Sequence, residues 1–277
     1  EMSFLSASGK DAFHVCHAPL PQMLEINYCI SGRMGWDMGN GNRIYLGPGD
    51  FSLNTMDVCG DSAITLPNGS YEGLAIYINL EQLSAQPPAP LVGSPVTGEA
   101  LWEKYCKDGT CTALAGNETI QQIFLGLYEP PKEMRLAWQK IKVLELLLVL
   151  SQIEAGQEKH LTEYRAEQAE VIRQIHDQLT RNLEQRYTID SLSRQYLMNP
   201  TTLKSMFKAI YGTSIAAHIR EHRMKYAAQL LQSSDLSIAD IAQKVGYDSQ
   251  SRFSSVFKEQ YHMRPKEYRR NRSSESI

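Results

Sequence analysis

A chain of 277 residues has room for two domains, and 42% hydrophobic against 21% charged residues excludes the disordered and low-complexity classes. The formal net charge of −3 argues against a nucleic-acid binder until it is divided: from Arg165 onward 18 Lys and Arg face 12 Asp and Glu, a balance of +6, whereas the preceding residues carry 10 against 19, or −9. Neutralising phosphate is work for the basic part, and the acidic part is excluded from it.

All five cysteines, Cys16, Cys29, Cys59, Cys106 and Cys111, fall in the acidic part without a CxxC pair, which points to a reduced, cytoplasmic setting. Cys106 and Cys111 read as two unrelated thiols near a loop. The longest apolar run, Val143 to Leu150, contains Glu145 and is far short of the roughly 20 residues that span a bilayer. With no signal peptide either, no membrane partner is expected. Glu1 in place of Met reads as a trimmed start.

From Ala12 to about Leu80, short apolar runs are cut by Gly, Asn, Asp and Pro, the pattern of antiparallel strands. MLEINYCI, MGWDM, RIYLG, DFSLN, SAITL and GLAIYINL are the strands, turned at Ser31-Gly32, Asn40-Gly41-Asn42 and Gly47-Pro48-Gly49-Asp50. Six or more such strands predict a small barrel or sandwich able to enclose one small ligand. Tyr28, Trp36, Met38, Phe51 and Tyr71 are the candidate ligand-binding residues, because aromatic and Met side chains on inward positions suit apolar ligands; alternation alone leaves open which face is inward. No His lies between His17 and His160, and His14 and His17 are three apart, on opposite faces of a strand, so neither metal nor cofactor is expected here.

Beyond Leu80, Gln86-Pro87-Pro88-Ala89-Pro90 predicts an extended loop, and Glu99 to Tyr105 and Glu118 to Tyr128 predict helices. From Lys132 to Glu154, Leu136, Ile141, Val143, Leu144, Leu146, Leu147, Leu148 and Leu150 make an apolar surface wider than the stripe of about 100° that one core needs. A homodimer through the 132–154 helix is one expectation and burial within its own domain the other. AGQEK, at 155–159, reads as an interdomain linker, and Glu163 to Glu184, with Val171, Ile172, Ile175, Leu179 and Leu183 at helical spacing, as the leading support helix of the C-terminal domain.

Two later stretches, fifty residues apart, share one pattern. In the second, Ser237 with Asp240 marks a helix start ahead of Ile238, Ile241, Ala242 and Val245; Gly246 permits a left-handed turn, Asp248 or Ser249 caps the next helix, and Phe253, Val256 and Phe257 recur at helical spacing. In the first, Ile189 and Leu192 begin a helix, Asn199 is an N-cap, Pro200 takes the first helical position and Gly212 ends the second helix. Leu203, Met206, Phe207, Lys208 and Tyr211 stand there where Phe253, Val256, Phe257, Lys258 and Tyr261 stand in the second. Ser214 to Gln232, free of Pro and Gly, predicts one continuous helix of about 28 Å between them. This is a helix-turn-helix twice over, on a rod suited to successive major-groove faces about 34 Å apart. The polar residues left outward are Thr201, Thr202, Lys204, Ser205 and Lys208 in the first copy and Gln250, Ser251, Arg252, Ser255 and Lys258 in the second. Gln suits adenine, Arg guanine and Ser either, and Lys208 and Lys258 suit phosphate.

The run from Leu192 to Arg269, about a third of the chain, resembles the DNA-binding domain of the AraC/XylS family of transcription regulators. The resemblance rests on Phe207-Lys208, Tyr211-Gly212, Arg223, Ala227, Leu231, Ile241-Ala242, Val245-Gly246-Tyr247, Phe253, Phe257-Lys258, Pro265 and Tyr268-Arg269. Ser193 and His262 depart from it, standing where the family has alanine and glycine; His262 is expected to strain or distort the end of its helix. The spacing from Tyr28 through Gly32 to Gly49-Asp50 is similar to the cupin-type sensor domain that often precedes such a domain.

Together these resemblances imply a multi-domain α+β chain. A cupin-like β-barrel with trailing helices covers 1–158 (barrel about 12–80, helices about 99–155), and an all-α double helix-turn-helix domain covers 159–277 (units about 189–211 and 237–261). They imply a bacterial, sequence-specific regulator, an activator, whose partners are double-stranded promoter DNA, the transcription machinery and a small-molecule effector in the barrel. The alternative is an effector-independent regulator whose barrel serves only dimerisation. No enzyme is expected, since metal-ligand spacing, an activated nucleophile and paired catalytic carboxylates are all missing from the sequence.

Overall fold

Alternation along the first eighty residues puts every second side chain on one face, and a sheet so built needs cover. The computed structural model describes residues 1–9, 12–38, 41–58, 61–109, 111–153 and 160–271. It folds the early part as β1 (Met2–Ser8), β2 (Phe13–Cys16), β3 (Met23–Gly32), β4 (Met34–Asp37), β5 (Asn42–Leu46), β6 (Phe51–Thr55), β7 (Asp61–Thr65) and β8 (Ser70–Asn79). The six expected strands are β3 to β8. Strand β1 comes in addition and pairs with β8 from Met2 opposite Ile76 to Ser8 opposite Ser70, so the sheet begins at Met2 rather than Ala12. Its serine-rich sequence carries little apolar signal. Asn40 of one expected turn, Cys59 and the 155–159 linker lie outside the described residues.

Next come α1 (Leu80–Ala85), a 3-10 turn at Ala89–Leu91 that takes over the end of the expected extended loop, α2 (Gly98–Tyr105), β9 (Thr112–Leu114), α3 (Glu118–Tyr128), α4 (Arg135–Gln152) and β10 (Tyr164–Arg165). The expected barrel takes the form of two five-stranded antiparallel sheets, ordered β1-β8-β3-β6-β9 and β10-β5-β4-β7-β2. Tyr164 pairs with Arg43 and Arg165 with Asn42, so the residues expected to open the support helix return to a sheet first. The chain divides into two units, Glu1–Ala166 and Glu167–Ile277.

Strand parity sorts the first sheet into two faces. Leu24, Ile26 and Tyr28 of β3, Phe51 and Leu53 of β6 and Leu74 and Ile76 of β8 join one core with Leu101, Ile120, Ile123, Phe124, Leu127, Leu146, Leu147 and Leu150 of the helices. Each such side chain, fully buried, contributes roughly 1.5–3 kcal/mol. The alternate residues Glu25, Asn27, Ser52 and Asn54 therefore point the other way, toward the second sheet. Lys104 of α2 donates to the carbonyls of Leu150, Ser151 and Ile153 at the end of α4, and the Tyr105 hydroxyl reaches Leu150 O at 2.7 Å. A cation on the last carbonyls of a helix complements its dipole.

The second unit is helical: α5 (Ala166–Arg181), α6 (Ile189–Gln195), α7 (Pro200–Tyr211), α8 (Ile215–Ser233), α9 (Ile238–Lys244), α10 (Gln250–Tyr261) and α11 (Pro265–Asn271). Helix α8 is the expected rod, capped by Ser214. Its Met224, Ala227, Ala228 and Leu231 pack with Ile238, Ile241, Ala242, Val245, Phe253 and Phe257 into the core of the second helix-turn-helix.

Candidate nucleic-acid interface and inter-sheet pocket

Helix α7 starts where Asn199 Oδ1 accepts a hydrogen bond from Thr201 N at 2.8 Å, with Pro200 in the first turn. It buries Leu203, Met206, Phe207, Ile210 and Tyr211. What remains outward is Thr201, Lys204, Ser205 and Lys208, all exposed, with Thr202 half-buried. Helix α10 starts where Ser249 Oγ accepts from Arg252 N and buries Phe253 and Phe257, leaving Gln250, Ser251, Arg252, Ser255 and Lys258 exposed. Ser205 and Ser255, at matching positions, each donate back to their own helix, to Thr202 O at 3.0 Å and Ser251 O at 3.1 Å. Their oxygens stay free to accept.

A cleft of about 780 Å³ opens beside α10. Arg186, Arg220, Arg223 and Arg252 line it together with Thr188, Ser214 and Ser249, the residues that cap α6, α8 and α10. Guanidinium groups beside helix N-termini suit a phosphate chain. Of these four the sequence marked Arg252 as a DNA contact and Arg223 as part of the family resemblance, whereas Arg186 and Arg220 lie outside the repeat. Arg186 also pairs with Asp248 at the surface.

Arg223 has a structural task. It donates to Leu183 O at 2.8 Å, Gln185 O at 3.0 Å and Gly246 O at 3.3 Å, and its guanidinium lies 5.8 Å from the centre of the Tyr247 ring. It thereby ties the segment after α5 to the turn of the second helix-turn-helix. Gly246 sits there at φ 77°, and a Cβ on it would come within 2.5 Å of the Arg223 guanidinium and 2.7 Å of Leu183 O. Close approach and left-handed backbone both require glycine.

In the first unit, a cavity of about 270 Å³ lies between the sheets. Leu5, Met34, Trp36, Met56 and Ile64 form its apolar wall, and Glu25, Asn27, Ser62, Tyr71 and Tyr77 its polar one. Asn27 Oδ1, the Tyr71 hydroxyl and the neighbouring Ser52 Oγ are buried with no hydrogen-bond partner among the described residues. Burial, then the charges of Cys29 and Glu25, push the Tyr71 phenol up, so it is a neutral donor. Burial also pushes the Cys29 thiol up to about 12, which keeps it protonated.

Of the five residues expected to line a pocket, Trp36 and Tyr71 do so. Tyr28 and Phe51 do not: they belong to the helix-facing core, where the Tyr28 ring stacks on Phe124 with centroids 4.1 Å apart and planes 5° apart. Strand parity is the reason. An aromatic ring gave no clue to its face, whereas the polar Glu25 and Asn27, alternating with Leu24, Ile26 and Tyr28, marked the inner one. Met38 is half-buried against the cluster of Met34 and Trp36, outside the cavity wall.

A family model described as a helix-turn-helix domain matches residues 192–271. The HTH-type transcriptional regulator AlkR of Acinetobacter baylyi is 40% identical over 86 residues, 31% of this chain and 28% of that protein. The virulence regulon transcriptional activator VirF of Yersinia enterocolitica is 36% identical over 88 residues, 32% of either chain. The probable transcription factor PqrA of Proteus vulgaris is 30% identical over 102 residues, which make up 37% of this chain and 82% of PqrA. The chain thus matches under a third of the length of the first two relatives and most of the third.

Proposed function

Because this chain belongs to the AraC/XylS family of transcription regulators, which bind DNA, we propose that it sets α7 and α10 into successive major-groove faces of a double-stranded promoter and activates transcription in response to a small molecule held between its sheets. Thr201, Thr202, Lys204 and Ser205 read the first face and Gln250, Ser251, Arg252 and Ser255 the second. Lys208, Lys258, Arg186 and Arg220 hold phosphate. The observation that carries this reading is the repeat: two helices with the same buried stripe and polar outer faces, joined by one unbroken helix. Activation follows the named role of VirF, and the transcription machinery is then the second protein partner. A soluble, cytoplasmic location goes with that work, and no described helix is long and apolar enough to cross a membrane.

The effector is a molecule with an apolar body and at least one hydrogen-bonding group, small enough for about 270 Å³. Unpartnered Asn27 and Tyr71 support this, since a buried polar atom left alone costs about 1–3 kcal/mol. Helix α4 supports a homodimer. Ala137, Ile141, Leu144 and Leu148 recur at the spacing of a coiled-coil seam, and Leu136 and Ile141 are 68% and 61% exposed. If the sheets serve dimerisation alone, this seam suffices without an effector.

Fluorescence anisotropy of the full chain on promoter fragments against random duplex tests the DNA half. Equal affinity for both at modest salt sinks it. Thermal shift against metabolite fractions tests the effector half, where stabilisation of wild type that weakens in Tyr71→Phe is expected. Complete indifference to every fraction leaves the dimerisation reading in its place.

A further inference from the structure

Three histidines of the second unit converge at a point that neither reading helix presents to DNA. His218 and His222 lie four residues apart on α8, which puts them on one helical face, and His176 meets them from α5. One nitrogen from each ring lies within 4.8 Å of the other two. Ring centroids are 4.6 Å apart for His218 and His222, 5.0 Å for His176 and His218 and 5.9 Å for His176 and His222. His218 is only 7% exposed, yet its Nε2 has no hydrogen-bond partner among the described residues. A side chain kept only for packing need not carry that penalty.

The surroundings are those of a ligand set. Asp177 Oδ1 lies 3.4 Å from His176 Nδ1, a carboxylate placed to orient the ring as one does beside a metal-bound imidazole. The His176 ring lies flat on Tyr211 at 4.4 Å and 10°, and Phe207 meets His218 edge-on at 5.4 Å. Of the charges that face the rings, Arg173 is engaged by Glu170 and Asp177, and Lys225 by Glu221 at 2.7 Å.

We propose that His176, His218 and His222 bind a divalent first-row transition cation, zinc foremost, that pins α5 to α8 beside the end of α7. Three neutral imidazoles suit zinc, copper or nickel and not magnesium or calcium, which take oxygen ligands. Zinc at about 2.0–2.1 Å from three nitrogens keeps a fourth position for water. Small rotations of the rings close the present spacing to the roughly 3.3 Å between nitrogens that such a tetrahedron sets. The proposal stands independently of the effector and of which bases are read.

The test is a zinc titration of the chelator-stripped full chain against a chromogenic competitor, with cobalt as a spectroscopic substitute. One zinc per chain and the visible absorption of tetrahedral cobalt are expected. His222→Gln and His176→Gln, at half-buried positions, each weaken zinc at least about 100-fold, and Asp177→Asn weakens it about 10-fold. His17→Gln, a substitution in the first unit, changes nothing. Thermal unfolding of the stripped variants establishes that they fold. If stripped wild type takes up no zinc, or if both histidine variants keep its affinity, the three rings are an aromatic stack and the proposal fails.

Discussion

The two helix-turn-helix units follow one plan and fill it differently. Each needs two residues with left-handed backbone, one in the turn and one after the second helix. The first unit uses Leu197 at φ 50° and Gly212 at φ 80°; the second uses Gly246 at φ 77° and His262 at φ 56°. Glycine and non-glycine have changed places. Leu197 is 94% exposed, so its turn is open, whereas Gly246 is pressed against Arg223 and Leu183 and admits no side chain. At the far end His262 N donates to Lys258 O at 2.8 Å as Gly212 N does to Lys208 O. The expected distortion at His262 is absent, and the strain is borne in the backbone. The cores differ too. Phe253, Phe257, Tyr261 and Tyr268 pack the second, while Phe207 and Tyr211 of the first pack against His176 and His218. The backbone plan is shared; the choice of what titrates or strains is local.

Phe207 and Phe257 are fully buried at matching positions, and Phe207→Ala and Phe257→Ala should each cost about 3–5 kcal/mol by denaturant unfolding. A harmless Phe257→Ala would mean that the α10 faces are assigned the wrong way round. Acid should separate the two helix-turn-helix units next. In metal-free protein His218 titrates near 4 when folded and near 6.5 when unfolded, so the unfolded chain binds more protons in that window. Stability of the first helix-turn-helix is full above about pH 6.5 and falls as pH drops toward 4, by up to about 3 kcal/mol, because burial, then the neighbouring His222 and His176, disfavour the charged His218, with Glu221 opposing and Lys225 adding to them. Hydrogen exchange should show α5 and α7 opening in acid while α9 and α10 hold; simultaneous opening would remove the distinction.

On DNA, Arg252→Ala should lose about 1–3 kcal/mol of specific binding if it reads a base, with the loss confined to one position of the site. A uniform loss with a shallower salt slope would make it a phosphate contact, the role proposed for Arg220. The smallest effect is a gain: Leu197→Gly and His262→Gly should each stabilise by about 0.5–1 kcal/mol in thermal unfolding, since strain is relieved and glycine's entropy takes part of it back. Gly246→Ala should do the reverse and more strongly.

How much of this was legible varies with the range of the signal. Caps such as Asn199, Ser237 and Ser249, and the apolar stripes of α7 and α10, are local and could be read directly. Strands β3 to β8 could be read for the same reason, and β1 could not, because Ser3, Ser6 and Ser8 dilute its pattern and its place comes from β8, some seventy residues away. Which ring faces the cavity needed the cover of the helices: Glu25 and Asn27 alternating with Tyr28 separate two faces of β3, and the packing of Phe124 on Tyr28 makes that ring's face the helix side. The histidine cluster was half visible. His218 and His222 at a four-residue spacing are a sequence signal, but His176 joins them only through the fold, and attention to His14 and His17 missed both.

In the first unit, a single layer of backbone in β3 and β8 stands between the cavity and the helices, so neighbouring residues on one strand touch opposite worlds. Asn27 borders the hollow, and Tyr28, the next residue, lies against Phe124 of α3, which shares its core with α4. A guest that leans on the amide of Asn27 therefore presses a diaphragm whose other side is the seat of the α4 seam. If a guest occupies the hollow and α4 joins two copies, as proposed, strand β3 touches both sides of that link.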